Sequence, residues 1–356
     1  MLVARIIAVV FGAALVVIVL DAAIRNFMLP RASRVRLTAL MGATMGRLLN
    51  AVAPPRSSYA WRDKVQAFRA PLTLLFFQAG WLFIVFVGFA LMFWGFESIP
   101  VDEAIRYSGS SLLTLGFAAP PHIAPIFVVY AEAVIGLTLL ALLISYLPTI
   151  YAAFQKREFM VSKLAVRAGS PGSPWQALAI ANRTASIEVM DEATWTEWEN
   201  WFIEIAESHT SLVILNFYRS PDPNNHWVAA ARTVLDLAAL RISAVDIPTG
   251  VAPHLTLRSG TITLRTLANY WRFPYNPDPR PSDPISITRA QFDAALEYLE
   301  TSGVPIKADR DEAWVAFTGW RVNYDSIIAA AAAALNAPPD PWDGILVAMA
   351  TNIADR

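Results

Sequence analysis

Three long apolar stretches and one short mixed stretch set the pattern of the first half of the chain. Leu2 to Ile24 is almost continuously apolar, broken by Arg5 and by Asp21 near its end. Pro71 to Phe96 carries no charge, and His122 to Phe154 carries only Glu132. Each run reaches the ~20 residues that a bilayer-spanning helix requires. At 1.5 Å per residue the third would be about 48 Å long, so its end is expected to protrude into the cytosol, where Lys156 and Arg157 follow. Between the second and third runs lies Tyr107-Ser-Gly-Ser-Ser-Leu-Leu-Thr-Leu-Gly-Phe-Ala118, too short and too polar to cross a bilayer. Asp102 and Glu103 just before it suit a helix N-terminus, which favours negative charge, so a half-helix over Asp102 to about Leu113 is expected.

After Ala168 to Pro174 (Ala-Gly-Ser-Pro-Gly-Ser-Pro), a linker by composition, the pattern changes to that of a mostly helical soluble domain. Trp195, Trp198, Phe202 and Ile205 recur at helical spacing, and Trp227 to Ile242 reads the same way. This tryptophan stripe is expected in a core, not in a ligand cage. Thr288-Arg-Ala-Gln291 has the form of a capping box opening a helix that Gly303 stops. Asp309, Asp311 and Glu312 form an acidic helix start. Ala313 to Leu335 is expected as one long helix ended by Pro338 and Pro339. Leu255 to Leu264 alternates apolar and polar side chains and predicts a small hairpin around Ser259-Gly260. The fold class is therefore an all-α integral membrane protein with three transmembrane helices, a short re-entrant helix with the loop after it, and a mainly helical cytoplasmic domain. The expected divisions are 1–30, a transmembrane helix; 31–70, a basic cytoplasmic connection; 71–155, two spans around the re-entrant stretch; 156–174, a linker; and 175–356, the cytoplasmic domain.

Charge orients this arrangement. The connection from Arg25 to Arg69 carries nine basic residues, Arg25, Arg31, Arg34, Arg36, Arg47, Arg56, Arg62, Lys64 and Arg69, against Asp63 alone. The positive-inside rule puts it in the cytoplasm, with Leu37 to Val52 a helix lying on the membrane surface or a solvated linker. Trp81 and Trp94 are candidates for an interface belt. The expected location is the cell (inner) membrane, multi-pass, with the C-terminal domain cytoplasmic. Composition agrees: 55% of the 356 residues are hydrophobic, and the mean hydropathy is +0.42. A net charge of -1 gives no global field for nucleic acid, and the absence of Cys excludes disulfides and thiolate chemistry. No span carries an arginine ladder of the voltage-sensing kind. His209, His226 and His254 lack metal-ligand spacing, and no nucleotide-binding or catalytic signature is present, so no enzyme, cofactor or metal site is expected.

Several stretches, taken in order, carry a family resemblance: Asp21 to Arg31 ending Met-Leu-Pro-Arg, the loop Thr114-Leu-Gly-Phe117, Ile144-Ser-Tyr-Leu-Pro-Thr-Ile-Tyr151, Lys156-Arg-Glu158, Arg167-Ala-Gly-Ser-Pro171, and Leu335 to Trp342 with its Pro-Pro-Asp-Pro-Trp. The chain resembles the bacterial potassium channel family proteins, a two-transmembrane pore module with an added N-terminal helix and a helical cytoplasmic tail. The resemblance makes 71–155 a pore module with a re-entrant pore helix and filter-like loop, and implies passive conduction of K+, with Na+ a second candidate, through a homotetramer in membrane lipid. It names no regulator for the cytoplasmic domain. By resemblance, Thr114, Leu115, Gly116 and Phe117 stand where a filter has Thr, Val, Gly and Tyr, and carbonyls there replace the ion's water shell. Ala118 stands at the second Gly and Ala119 at the usual Asp. An Ala in a left-handed position costs about 1–2 kcal/mol. Ser110 occupies the position where many such channels keep a Glu to pair with that Asp, so both halves of that clamp are absent, and strict K+ selectivity is not implied. Glu132, costly at membrane depth, is expected to face the bundle interior and to hydrogen-bond the half-helix at Ser108 or Ser110 as a substitute, or to reach water near the outer mouth. Gly136 is either a gating hinge or a site of close helix packing, with packing favoured. Pro148 is expected to loosen the helix near its cytoplasmic end, as a gate or a plain transition. The alternative function is a pore-like membrane protein that does not conduct and whose cytoplasmic domain binds a partner.

Overall fold

The computed structural model describes residues 2–27, 36–97, 99–185 and 192–346. Among them the regular elements are all helices; the one extended pairing is an isolated antiparallel bridge between Val245 and Ile306. Two compact units form. The first comprises 1–54 and 68–152, the second 55–67 and 153–356.

In the first unit, α1 (Leu2–Phe27), α2 (Arg36–Val52), α4 (Arg69–Glu97), α5 (Val101–Leu112) and the first part of α6 (Ile123–Ala168) pack together. Three helical stretches are long and apolar enough to cross a membrane: Leu2–Phe27, Tyr59–Glu97 and Ile123–Ala168. Most of their apolar side chains are exposed or half-buried on the single chain. What they do bury is a seam of Val16, Val19 and Ala23 on α1 against Trp81, Val85, Phe89 and Phe93 on α4. Trp81, expected at an interface, is instead 1% exposed, its ring edge-on to Phe27 at 5.5 Å.

The α1–α4 contact is close because glycines face each other. A Cβ added at Gly88 would lie 2.8 Å from the Gly12 carbonyl oxygen, and one at Gly12 would strike the Gly88 carbonyl. Both obstacles are backbone, so neither can swing aside. Small residues allow such approach where apolar side chains gain nothing by leaving lipid. Gly88→Leu is therefore expected to cost at least ~1–3 kcal/mol through overpacking and to lower the thermal midpoint in detergent. Val17→Leu, at a position 63% exposed, should leave it unchanged. Equal midpoints for the two variants would contradict this packing.

In the second unit, α3 (Tyr59–Ala67) and the last part of α6 join α7 (Pro174–Ala185), α8 (Glu192–Ser211), a 3-10 turn (Val213–Phe217), α9 (Trp227–Ser243), α10 (Val251–Trp271), α11 (Arg289–Thr301), α12 (Arg310–Arg321) and α13 (Asp325–Leu335). Almost every residue of α9 is buried, so it forms the axis of this unit. Trp195, Trp198, Phe202 and Ile205 of α8 pack into the same core, as their spacing predicts, and Trp201 joins them. The capping box forms: Thr288 accepts from Gln291 N–H, and the Gln291 side chain accepts from Thr288 N–H at 2.8 Å. Asp309 caps α12 by accepting from the Asp311 and Glu312 N–H groups.

Two expectations are corrected. The hairpin over Leu255–Leu264 does not form; that stretch lies inside α10. Its buried positions include Leu257, Gly260, Thr261, Leu264, Leu267 and Ala268, which is helical spacing, while Leu255 and Ile262 are exposed. Alternation would turn the polar positions outward. Two of them are in fact buried against α8, Thr256 Oγ1 donating to the Trp195 carbonyl (2.9 Å) and Thr263 Oγ1 to that of Phe202 (2.8 Å). The single helix over Ala313–Leu335 is broken into α12 and α13. Asn323 Nδ2 donates to the carbonyls of Gly319 (2.9 Å) and Trp320 (3.3 Å), ending α12 by side-chain competition. Tyr324 then turns inward, fully buried, to reach Asp236.

Candidate functional site

The short stretch between the second and third apolar runs is built on α5. Pro100 precedes its first turn, and Asp102 and Glu103 lie within that turn, where the helix dipole favours them. Twelve residues give about 18 Å of helix, well short of a bilayer. Tyr107 packs edge-on against Phe93 of α4 at 6.0 Å and donates its hydroxyl proton to Glu103 Oε1 at 2.8 Å.

Three buried serines then fix α5 and the loop after it. Ser108 Oγ lies 2.9 Å from the Phe86 carbonyl of α4 and 2.5 Å from Glu132 Oε1 of α6, its single proton serving one or the other. Ser111 Oγ donates to the Val129 carbonyl of α6 at 2.7 Å. Ser110 holds the loop twice over. Its carbonyl accepts from Leu115 N–H (2.8 Å) and Gly116 N–H (3.3 Å), and its hydroxyl accepts from Ala118 N–H (3.0 Å).

The loop backbone alternates in hand. Thr114 has φ +54° and Gly116 φ +71°, while Leu115, Phe117 and Ala118 do not enter the left-handed region. For Gly116 that conformation carries no steric penalty. For the β-branched Thr114 it is a genuine outlier, costing about 1–2 kcal/mol. The strain expected at Ala118 therefore falls at Thr114 instead. Strain at a non-glycine residue persists only where the surroundings over-determine it and gathers at functional sites; Ser110 supplies part of that constraint. Leu113, Leu115 and Phe117 all leave their side chains exposed on the single chain.

Glu132 reaches α5 at Ser108, as its depth in the third run implies. It is 0% exposed, and its Oε2 finds no hydrogen-bond partner among the described residues. Gly136, one turn further along α6, faces the end of α5: an added Cβ would lie 2.7 Å from the Leu112 carbonyl oxygen and 2.9 Å from its Cδ1. This is the close-packing arrangement. Helix α6 continues through Pro148 to Ala168.

The structure thus brings Ser108, Ser110, Glu132, Gly136 and the loop Thr114–Ala118 together, and leaves Pro148 apart from them along α6. Sequence reasoning missed Ser110 as the loop's anchor and Ser111 as a second tie to α6. The available signal was three hydroxyls on a helix flanked by apolar runs, where backbone groups are the main partners within reach. Among the described residues, no group of three or more His, Asp or Glu side chains is placed to hold a metal ion. No known protein family matches the chain, and neither a curated protein nor a solved structure is similar to it.

Proposed function

We propose that the protein is a cation channel of potassium-channel type, in which copies of the loop Thr114–Phe117 surround a path for K+, with Na+ as the second candidate ion. The observation that carries this reading is the loop itself: left-handed Thr114 and Gly116 on either side of Leu115, tied to a short helix by Ser110 and flanked by two helices long enough to cross a membrane. Carbonyls in a filter turn toward one axis only if successive residues alternate in hand, and such carbonyls can replace an ion's hydration shell.

Oligomerisation follows from solvation. Irregular backbone at membrane depth is tolerated only where protein covers it or where it lines water. On a single chain, Leu113, Leu115 and Phe117 are uncovered, as are Phe127, Tyr130, Val134, Leu137, Leu140 and Ile144 at three- and four-residue spacing on α6. Further copies of the chain would cover both surfaces. A homotetramer is the arrangement the family resemblance implies, with the second unit on the cytoplasmic side.

A second reading draws on Ala118, where the alternation stops after Gly116. In that reading the loop is closed to ions, and the protein serves as a membrane anchor for a partner-binding domain. Flux into liposomes containing purified protein separates the two. The channel reading expects K+ uptake above that of empty liposomes, with Na+ uptake reporting how far selectivity is relaxed. Uptake of neither ion would leave the second reading standing.

A further inference from the structure

Two stretches of chain adjoining membrane-length helices converge on one loop of the second unit. Tyr59 and Asp63 lie on α3, just before α4, and Arg157 lies in the last part of α6. Arg219 donates from Nε to Asp63 Oδ1 (2.7 Å) and from Nη2 to the Tyr59 hydroxyl (3.3 Å), and its Nη1 bonds the carbonyls of Leu335 and Asn336. Tyr59 passes its own proton to the Pro223 carbonyl at 2.8 Å. Arg157 donates to the carbonyls of Leu215 (2.9 Å) and Tyr218 (2.8 Å). Residues 215–223 thus hold both stretches at once.

Two histidines stand directly behind this loop, His209 at 0% exposure and His226 at 2%. Their contacts fix which nitrogen carries the proton. Ser208 gives its hydroxyl proton to the Glu204 carbonyl (2.6 Å), so at 3.0 Å it accepts from His209 Nδ1. That leaves His209 Nε2 bare, 3.4 Å from Arg157 Nη1, a group that can only donate. At His226, Nδ1 accepts from Val228 N–H at 3.1 Å and caps the start of α9. Both rings therefore act as acceptors at these nitrogens, which requires the neutral imidazole. Trp227 packs against the two of them, at 4.6 Å and 6.1 Å between ring centres.

The charges that face the histidines are cationic. Arg157 of α6 acts on both, and Arg219 of the loop and Arg232 of α9 act on His226. The nearby carboxylates are already engaged: Glu158 with Arg157, Asp63 with Arg219, and Asp340 with Arg232. Burial first, then these guanidiniums, hold both imidazoles well below the ordinary 6.5. Each ring binds its proton more weakly in the folded unit than in the open chain. The stability this contributes is therefore complete above pH ~6.5 and is lost progressively as pH falls below it, toward the depressed folded values.

We propose that residues 209–226 form a proton-operated latch: with His209 and His226 neutral, the loop clasps α3 and the end of α6 together, and protonation of either ring releases them. Protonated His209 would present an N–H to Arg157, and protonated His226 would lose the lone pair that caps α9. The latch does not depend on whether the loop at Thr114–Phe117 conducts.

Hydrogen exchange of the full-length protein in detergent tests it at pH ~7.5 and ~5.5, either side of the ordinary histidine value, after correction for intrinsic exchange rates. Peptides from 59–67 and 153–159 should lose about tenfold or more in protection at the lower pH, while peptides from α11 keep theirs. The pair His209→Gln and His226→Asn keeps acceptor oxygens that cannot be protonated, and should abolish the pH effect. Unchanged protection of 59–67 and 153–159 in the wild type, or an undiminished pH effect in the pair, would overturn the latch. If the pair does not fold, nitrogen NMR of the four histidines of the wild-type chain decides. The latch requires a bare Nε2 on His209 and a bare Nδ1 on His226 at neutral pH, and a cationic ring at either position there refutes it.

Discussion

Arg321→Met is expected to cost the second unit about 3–5 kcal/mol, because it leaves buried carboxylates without their counter-ion. Arg321 is fully buried and pairs with Asp236, with Asp325 through Nε at 2.9 Å, and more distantly with Asp340 at 3.9 Å. Asp236 also accepts from the Tyr324 hydroxyl and from Trp342 Nε1, each at 2.8 Å, so one carboxylate on the central helix ties α12, the start of α13 and the segment around Trp342 together. Met preserves the apolar stem and removes only the charge and its donors. Denaturant unfolding followed by tryptophan fluorescence measures the loss. In a double-mutant cycle, adding Asp236→Asn should cost less than it does alone, since the two residues share one interaction. A loss below ~1 kcal/mol for Arg321→Met would mean that the network is solvated or loosely held.

Ser110→Ala carries the second large effect, and it acts on the proposed ion path. The Ser110 hydroxyl is the acceptor for Ala118 N–H, and nothing in an alanine replaces it. Leaving that amide unpaired costs about 1–3 kcal/mol, comparable to the ~1–2 kcal/mol of strain held at Thr114. The balance that keeps the loop in its alternating form should then tip. K+ flux is expected to fall by about tenfold or more, since ~1.4 kcal/mol is a decade, and the preference for K+ over Na+ should shrink with it. Ser111→Ala is the matched control. Its hydroxyl donates to the Val129 carbonyl within α6, a carbonyl at an interior helix position, so the substitution should change flux far less. Equal effects of the two substitutions would show that Ser110 has no special hold on the loop.

The parts of this architecture that were legible in the sequence are those where one physical signal dominates. Long, nearly uncharged apolar runs gave the membrane-length helices. The seam of Trp195, Trp198, Phe202 and Ile205 gave α8, and Thr288 with Gln291 gave the start of α11. Signals failed where a residue's polarity and its surroundings part company. Thr256 and Thr263 look like outward positions of a strand until their hydroxyls find α8 carbonyls. Tyr324 and Asn323 look like ordinary helix residues until one is drawn to Asp236, far away in sequence, and the other turns back on Gly319. At the candidate site, the reach of Glu132 to Ser108 was legible because a carboxyl in an apolar run must find a polar partner. The hold of Ser110 on three loop amides was not, because it depends on the loop folding back over its own helix. The bond between Arg219 and Asp63 was likewise invisible, the two lying 156 positions apart.

The chain contains no cysteine, so a single introduced thiol reports without background on whether the loop lines the ion path. With Phe117→Cys in reconstituted membranes, a membrane-impermeant thiol reagent applied from the outer side should label the protein and suppress a K+ current that the same reagent leaves intact in the wild type. A thiol that is labelled with no change in current, or a protein that carries neither K+ nor Na+, would contradict the account.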